Sequence, residues 1–322
     1  MNAPPQLGAE TDSRGRFVRQ QSAFRDRIEE GGEHPPEAGR YHLYVSLACP
    51  WAHRVVIARR LKGLEDVIGM TVVDPIRDER GWALRDGTGW SADPVTGFAF
   101  LAEAYAATDP GWRGRVTVPV LWDTATGTIV NNESEDILRI LDSAFGDLAL
   151  PSPVLRPPEL AASIDVMNAR VYPEVNNAVY RAGFAASQEA YDEAVADLAA
   201  GLAMVEENLA RERWLVGNRF TEADIRLFTT LVRFDAVYHT HFKCNARLIA
   251  ESAALVGFVR DVAQVPGVMD TIAMDQIKSH YYGTHQVLNP SGIIPVSDGP
   301  DLSVPHGRST LGPEAVEPPP PG

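Results

Sequence analysis

Tyr41-His42-Leu43-Tyr44-Val45-Ser46-Leu47-Ala48-Cys49-Pro50-Trp51-Ala52-His53-Arg54-Val55-Val56-Ile57-Ala58 decides the fold. Tyr41 to Ser46 reads as a strand, Leu47-Ala48 as a turn, and Pro50 onward as a helix. Proline fits the first helical turn, where its missing N–H costs nothing, so Pro50 fixes the helix start and leaves the Cys49 thiol at the helix N-terminus. Unpaired amide N–H groups and the positive end of the helix dipole favour thiolate over thiol there. The motif is Cys-Pro-Trp-Ala, with Ala52 where a dithiol enzyme carries its second cysteine, so an intramolecular C-x-x-C disulfide is excluded. Against a reactive Cys49 stands the reading of a free cysteine as a small buried hydrophobe. His53 and Arg54 either lend the thiolate positive charge or are satisfied structural groups.

Working outward, Val67 to Asp74 offers a second strand, which makes a parallel β-α-β crossover with the Cys49 helix. Pro75 to Arg115 is irregular apart from an expected helix over Phe98–Thr108. Val116–Trp122 and Thr128–Val130 form an expected hairpin, followed by a helix over Ser134–Phe145. The order β-α-β-α-β-β-α is that of a thioredoxin-like domain. In that setting Pro119 stands beside the cysteine, which leaves the Val118 N–H and C=O for a peptide-like ligand, unless Pro119 is simply an edge-strand proline. Asn132-Glu133-Ser134 opens a second helix on the same sheet edge as Cys49, a place that binds carboxylate, although Ser134 also reads as an ordinary N-cap.

Leu150-Pro151-Ser152-Pro153-Val154-Leu155-Arg156-Pro157-Pro158 is a proline-stiffened linker, and beyond it the pattern is helical. Tyr191, Val195, Leu198, Leu202, Val205 and Leu209 form one amphipathic stripe. Thr221-Glu222-Ala223-Asp224 is a capping box, and helices are expected over Ala246–Ala263 and Gly267–Tyr282. The expected divisions are an N-terminal arm (1–38), a thioredoxin-like domain (39–146), a linker (147–158), an all-helical domain (159–288) and a C-terminal extension (289–322). The tail Ser297–Gly322 is Pro/Gly-rich and expected to be disordered.

With 322 residues and 45% hydrophobic content, two domains are expected. The net charge of -14 argues against nucleic acid or an anionic membrane as partner. Cys49 and Cys244 are the two cysteines, so no disulfide framework is expected and a reducing compartment fits. Met1 to Arg16 has no apolar core of a signal peptide, no run approaches a membrane span, and the cytoplasm is expected. His239, His241 and Cys244 invite a metal reading, but in a helix over Val237–Lys243 the two histidines face different ways, and no metal is expected. The helical half also carries Tyr172, Tyr180, Tyr191, Tyr238, Tyr281 and Tyr282. A thiolate, a Thr-Val-Pro backbone and an anion-binding helix start together describe a pocket for glutathione.

Gly39 to Arg54, Gly114 to Asp123, Asn132-Glu133-Ser134, Thr221 to Phe228, His241-Phe242-Lys243-Cys244-Asn245 and His280-Tyr281-Tyr282-Gly283 resemble the glutathionyl-hydroquinone reductases, the Xi class of glutathione transferases. The resemblance runs from about Arg40 to Pro295. It implies the glutathione transferase fold, an α/β thioredoxin-like N-terminal domain plus an all-α C-terminal domain, in a homodimer. It further implies that Cys49 is the nucleophile, with Tyr180 and Tyr281 also catalytic. By the same resemblance Trp82, Arg115, Val118, Glu133 and Ser134 hold glutathione, and Tyr238 lines an aromatic-substrate pocket with those tyrosines. The implied reaction is reduction of glutathionyl-hydroquinones through a Cys49 mixed disulfide, with glutathione as co-substrate. The alternatives are a general thioltransferase or dehydroascorbate reductase, which needs Cys49 alone, and a binding protein that only sequesters aromatic ligands.

Overall fold

The computed structural model describes residues 10–315; the first nine residues of the expected arm and the last seven of the expected extension lie outside them. Two compact units divide the chain. Arg19–Pro151 and Thr271–Ile294 belong to the first, and Glu10–Val18, Ser152–Asp270 and the chain from Pro295 to the second.

The first unit runs β1 (Tyr41–Val45), α1 (Pro50–Leu61), β2 (Gly69–Val72), α2 (Ala102–Thr108), β3 (Val120–Asp123), β4 (Thr128–Asn131) and α3 (Ser134–Ser143), the order read from the sequence. The strands lie in the order β2-β1-β3-β4. β1 pairs parallel with β2 and antiparallel with β3, and β3 pairs antiparallel with β4. β1 and β4 therefore point the same way, and their C-terminal ends share one sheet edge with the start of β3. Every residue of β1 and β3 is buried, as expected for strands covered on both faces. Gly69 is required in β2 because the His42 imidazole lies over it, and a Cβ there would sit 2.4 Å from Nδ1.

β3 and α2 start later than the sequence pattern suggests, each for a physical reason. β3 begins at Val120 rather than Val116, since Pro119 has no N–H for the ladder, and the Val118–Pro119 bond is cis. α2 begins at Ala102 rather than Phe98, because the Glu103 carboxylate accepts from the N–H groups of Ala99 and Phe100, each at 2.9 Å, and turns the chain there. α3 ends at Ser143 rather than Phe145.

The second unit contains α4 (Ala161–Val171), α5 (Ala178–Gly183), α6 (Gln188–Leu209), α7 (Glu222–Leu231), the short α8 (His239–His241) and α9 (Ala253–Ala263). α6 buries Ala190, Ala194, Leu198, Gly201, Leu202, Val205 and Leu209, so Leu198, Leu202, Val205 and Leu209 are as read, while Ala190 and Ala194 replace Tyr191 and Val195 at the start of the stripe. α7 is buried at every position, and Thr221 and Asp224 form the expected capping box at its head. π-helical segments at Tyr172–Asn176 and Phe234–Tyr238 lead into α5 and α8. α9 starts at Ala253 rather than Ala246: the Asp235 carboxylate takes the Ile249 and Ala250 N–H groups at 2.7 and 3.0 Å, and Ser252 caps the helix through the Leu255 N–H.

Two further expectations are corrected. The expected end of the helical domain at 288 gives way to a return of the chain to the first unit, where α10 (Met274–Thr284) packs. His53 meets Thr271 Oγ1 at 2.8 Å, His280 Nδ1 meets the Pro75 carbonyl at 2.7 Å, and Gln276 donates to the Gly89 carbonyl at 3.0 Å. The tail is not loose over its described part. Arg308 is buried and donates to the carbonyls of Leu209, Ala254, Glu212 and Arg213, and Trp214 Nε1 donates to the Pro313 carbonyl at 2.9 Å.

Candidate active site

The turn from β1 into α1 delivers Cys49 as the helix N-cap, in extended backbone geometry (φ -78°, ψ 123°), with Pro50 at the first position and no acidic residue in the first turn. The thiol is half-buried, and its sulfur lies 3.7 Å from the Val118 carbonyl oxygen. The Val118 N–H has no hydrogen-bond partner among the described residues. His53 is fully buried and held by Thr271, which favours the structural reading of that histidine. Arg54 is also buried, with its guanidinium 4.3 Å from the centre of the Trp51 ring, and Arg19 stands over the same ring at 4.6 Å. The two cations thus face an indole two residues from the sulfur.

At the parallel end of β4, α3 begins with Glu133 as its N-cap and Ser134 as its first residue, which corrects the reading of Ser134 as the cap. Glu133 Oε1 accepts from the Glu135 N–H at 3.3 Å and from Ser134 Oγ at 3.4 Å, while the Glu133 N–H donates to Asn131 Oδ1 at 2.7 Å. Cys49, Val118, Glu133 and Ser134 therefore belong to one sheet edge, with two helix N-termini directed along it. The Arg115 N–H donates to Gln20 Oε1 at 2.9 Å. Trp82 is buried and stacked on His280, centroids 5.1 Å apart, with Arg77 5.3 Å from its ring. Its Nε1–H is buried without a partner among the described residues, an unsatisfied donor of the kind that functional sites retain.

The tyrosines divide between the units. Tyr281, buried on α10, belongs to the first and meets His280 and His285 edge to face at 5.2 and 5.6 Å. Tyr180 and Tyr238 belong to the second, where their rings lie 5.9 Å apart in a cluster with Phe17, Phe184 and Phe242. Tyr238 closes one of the π-helical segments, a local widening frequent at functional sites. Cys244 is buried, and desolvation pushes its thiol up to about 12, so it offers no thiolate at neutral pH.

Residues 48–144 match the family model of the glutathione S-transferase N-terminal domain, and residues 188–261 that of the C-terminal domain. The chain is 49% identical over 303 residues to glutathionyl-hydroquinone reductase YqjG of Escherichia coli, covering 91% of this chain and 92% of that protein. To glutathionyl-hydroquinone reductase PcpF of Sphingobium chlorophenolicum it is 50% identical over 291 residues, covering 90% and 92%. Among solved structures, the Xi glutathione transferase of Phanerochaete chrysosporium superposes with a TM-score of 0.89 at 44% identity, covering 92% of this chain and 97% of that one. The glutathione-bound structure of YqjG gives 0.85 at 49% identity, covering 89% and 96%. The chain belongs to the Xi-class glutathione transferase family.

One part of this glutathione transferase went unread in the sequence. In the arm ahead of β1, Gln20 and Ser22 each touch a residue of the candidate site, Ser22 Oγ donating to Glu133 Oε2 at 2.9 Å, and Arg19 stands over Trp51, two residues after Cys49. The signal available was weak: a polar run, Arg19-Gln20-Gln21-Ser22, before the aromatic Phe24.

Proposed function

We propose that this chain reduces glutathionyl-hydroquinones to hydroquinones with glutathione as co-substrate, through a mixed disulfide on Cys49. The observation that carries the reading is a single thiol at a helix start, without a C-x-x-C partner, in a chain about half identical to two glutathionyl-hydroquinone reductases. The Cys49 thiolate attacks the glutathionyl sulfur. The carbon–sulfur bond breaks, its electron pair stays with the ring carbon, and that carbon takes a proton to give the hydroquinone. A second glutathione thiolate then attacks the mixed disulfide, releasing oxidised glutathione and restoring Cys49. The carbon gains two electrons and two glutathione sulfurs lose them.

Glutathione lies, in this reading, along the sheet edge, with the Val118 backbone taking its peptide group, Glu133 and Ser134 its charged end, and Arg115 and Trp82 flanking it. A tyrosine hydroxyl, from Tyr180 or Tyr281, donates to the ring oxygen as charge develops there, and Tyr238 lines the ring pocket. No helix among the described residues is long and apolar enough to cross a membrane. We assign the protein to the cytoplasm as a homodimer, on its cysteine usage and its Xi-class membership; light scattering on the eluted protein tests the dimer. The activity is tested by supplying a glutathionyl-hydroquinone and glutathione, and following hydroquinone by chromatography and oxidised glutathione by a coupled reductase. Equal amounts of the two products are expected. Turnover confined to small mixed disulfides sinks the reading in favour of a thioltransferase.

A further inference from the structure

We propose that the N-terminal arm from Arg19 to Asp26 is a working wall of the glutathione site, in which Ser22 is a positioning residue that sets the Glu133 carboxylate. The proposal rests on the glutathione reading above.

β4 is the edge strand of the sheet, and the arm covers it. The Asp26 N–H donates to the Val130 carbonyl at 3.0 Å, the Asn132 N–H to the Phe24 carbonyl at 3.0 Å, and Arg25 bridges Asn131 in antiparallel sense. Phe24 packs against Tyr105 and Trp112, with ring centroids 5.7 and 5.3 Å away. These contacts are enough to bury an edge and fix the segment. The residues ahead of Phe24 do something else, because their polar side chains end on Glu133, Arg115 and Trp51.

Ser22 Oγ lies 2.9 Å from Glu133 Oε2 and 3.2 Å from the Asn132 carbonyl. Glu133 Oε1 is held by the start of α3, whereas Ser22 is the partner of Oε2 among the described residues. The contacts on Oε1 are long, at 3.3 and 3.4 Å, and by themselves leave the carboxylate room to turn about its last bond. The serine stops that rotation and leaves the remaining lone pairs directed at a ligand cation. Gln20 takes the Arg115 N–H, and Arg19 covers the ring of Trp51, two residues after Cys49, so the arm also reaches a second residue assigned to glutathione and the helix that starts at the thiol. An ordinary edge cover has no reason to end its polar side chains there.

The test compares wild type, Ser22→Ala and Ser22→Thr in the full chain, with glutathione itself as the probe in titration calorimetry. Ser22→Ala is expected to bind glutathione about tenfold more weakly, the effect of one hydrogen bond to a charged group. Its KM for glutathione rises by the same factor while kcat changes little, and Ser22→Thr recovers most of the affinity. Iodoacetamide should alkylate Cys49 at the wild-type rate in Ser22→Ala, which shows that the thiol and its helix are undisturbed. Wild-type affinity in Ser22→Ala overturns the arm proposal and leaves the glutathione reading standing. Absence of glutathione binding in wild type overturns that reading and the proposal with it, so the two failures are seen on different proteins.

Discussion

The Cys49 sulfur lies 3.7 Å from the Val118 carbonyl, so the thiol faces the sheet edge and not the core. A ligand with its own peptide group meets backbone and sulfur at the same place. Cys49→Ala is therefore expected to abolish glutathione-dependent release of hydroquinone with little change in the thermal midpoint, since a half-buried thiol is removed at a helix start. Cys244→Ala should keep its activity within about twofold, because that sulfur is buried and protonated. Mass spectrometry after glutathione disulfide treatment should find the adduct on Cys49. Substantial turnover by Cys49→Ala would favour the ligand-binding alternative.

If a phenol stabilises the departing ring, Tyr180→Phe and Tyr281→Phe slow reduction of a glutathionyl-hydroquinone but spare reduction of a small mixed disulfide. A preorganised donor to developing charge contributes about 2.7 to 4 kcal/mol, so the more important tyrosine should cost roughly a hundredfold in kcat. Phenylalanine keeps the ring contacts that Tyr180 makes with Phe184 and Phe242 and that Tyr281 makes with His280. Equal loss of both activities would mean damaged packing, and no loss in either would remove these hydroxyls from the mechanism.

The strand, turn and proline around Cys49 were legible because they act over a few residues: Pro50 fixes the helix start whatever the rest of the chain does. The same holds for the α7 capping box. What the sequence hid depends on partners far away. His280 finds its acceptor at Pro75 and Arg308 finds its carbonyls at Leu209 and Ala254, so neither the return of α10 to the first unit nor the order of the tail leaves a local pattern. Ser22 meets Glu133 only because Phe24 and β4 bring the arm there, which is why the candidate site was read without its wall.

Acid should destabilise the fold in two steps. Burial lowers His42 and His241 to about 4, below the ordinary histidine value of 6.5, so the unfolded chain takes up these protons first and stability falls as pH drops from about 6.5 to 4. Burial by itself would raise Asp123, but hydrogen bonds from Arg40 and His34 outweigh it and hold the carboxyl down to about 2. Its contribution is complete above the ordinary carboxyl value of 3.8 and is lost as pH falls through about 2. Asp123→Asn should be less stable at pH 7 and lose less stability between pH 4 and 2 than wild type. Parallel wild-type and variant curves of thermal midpoint against pH would contradict this assignment.

Arg308 ties the C-terminal tail to the end of α6. Its Nη1 donates to the Leu209 and Ala254 carbonyls at 2.9 and 3.3 Å, and its Nη2 to the Glu212 and Arg213 carbonyls at 2.8 and 2.9 Å. The last carbonyls of a helix have no partner within it, so a buried guanidinium there satisfies acceptors that water does not reach. Arg308→Ala removes the donors and leaves the acceptors buried. The expected cost is about 3 kcal/mol, because leaving buried polar groups unpaired is more expensive than one net hydrogen bond. A loss of that size lowers the thermal midpoint by about 6 to 12 °C in a unit of this length. Arg308→Lys should recover only part of it, since an ammonium lacks the planar fork that reaches four carbonyls. An unchanged midpoint in Arg308→Ala would mean that the tail lies on α6 and α9 without holding them.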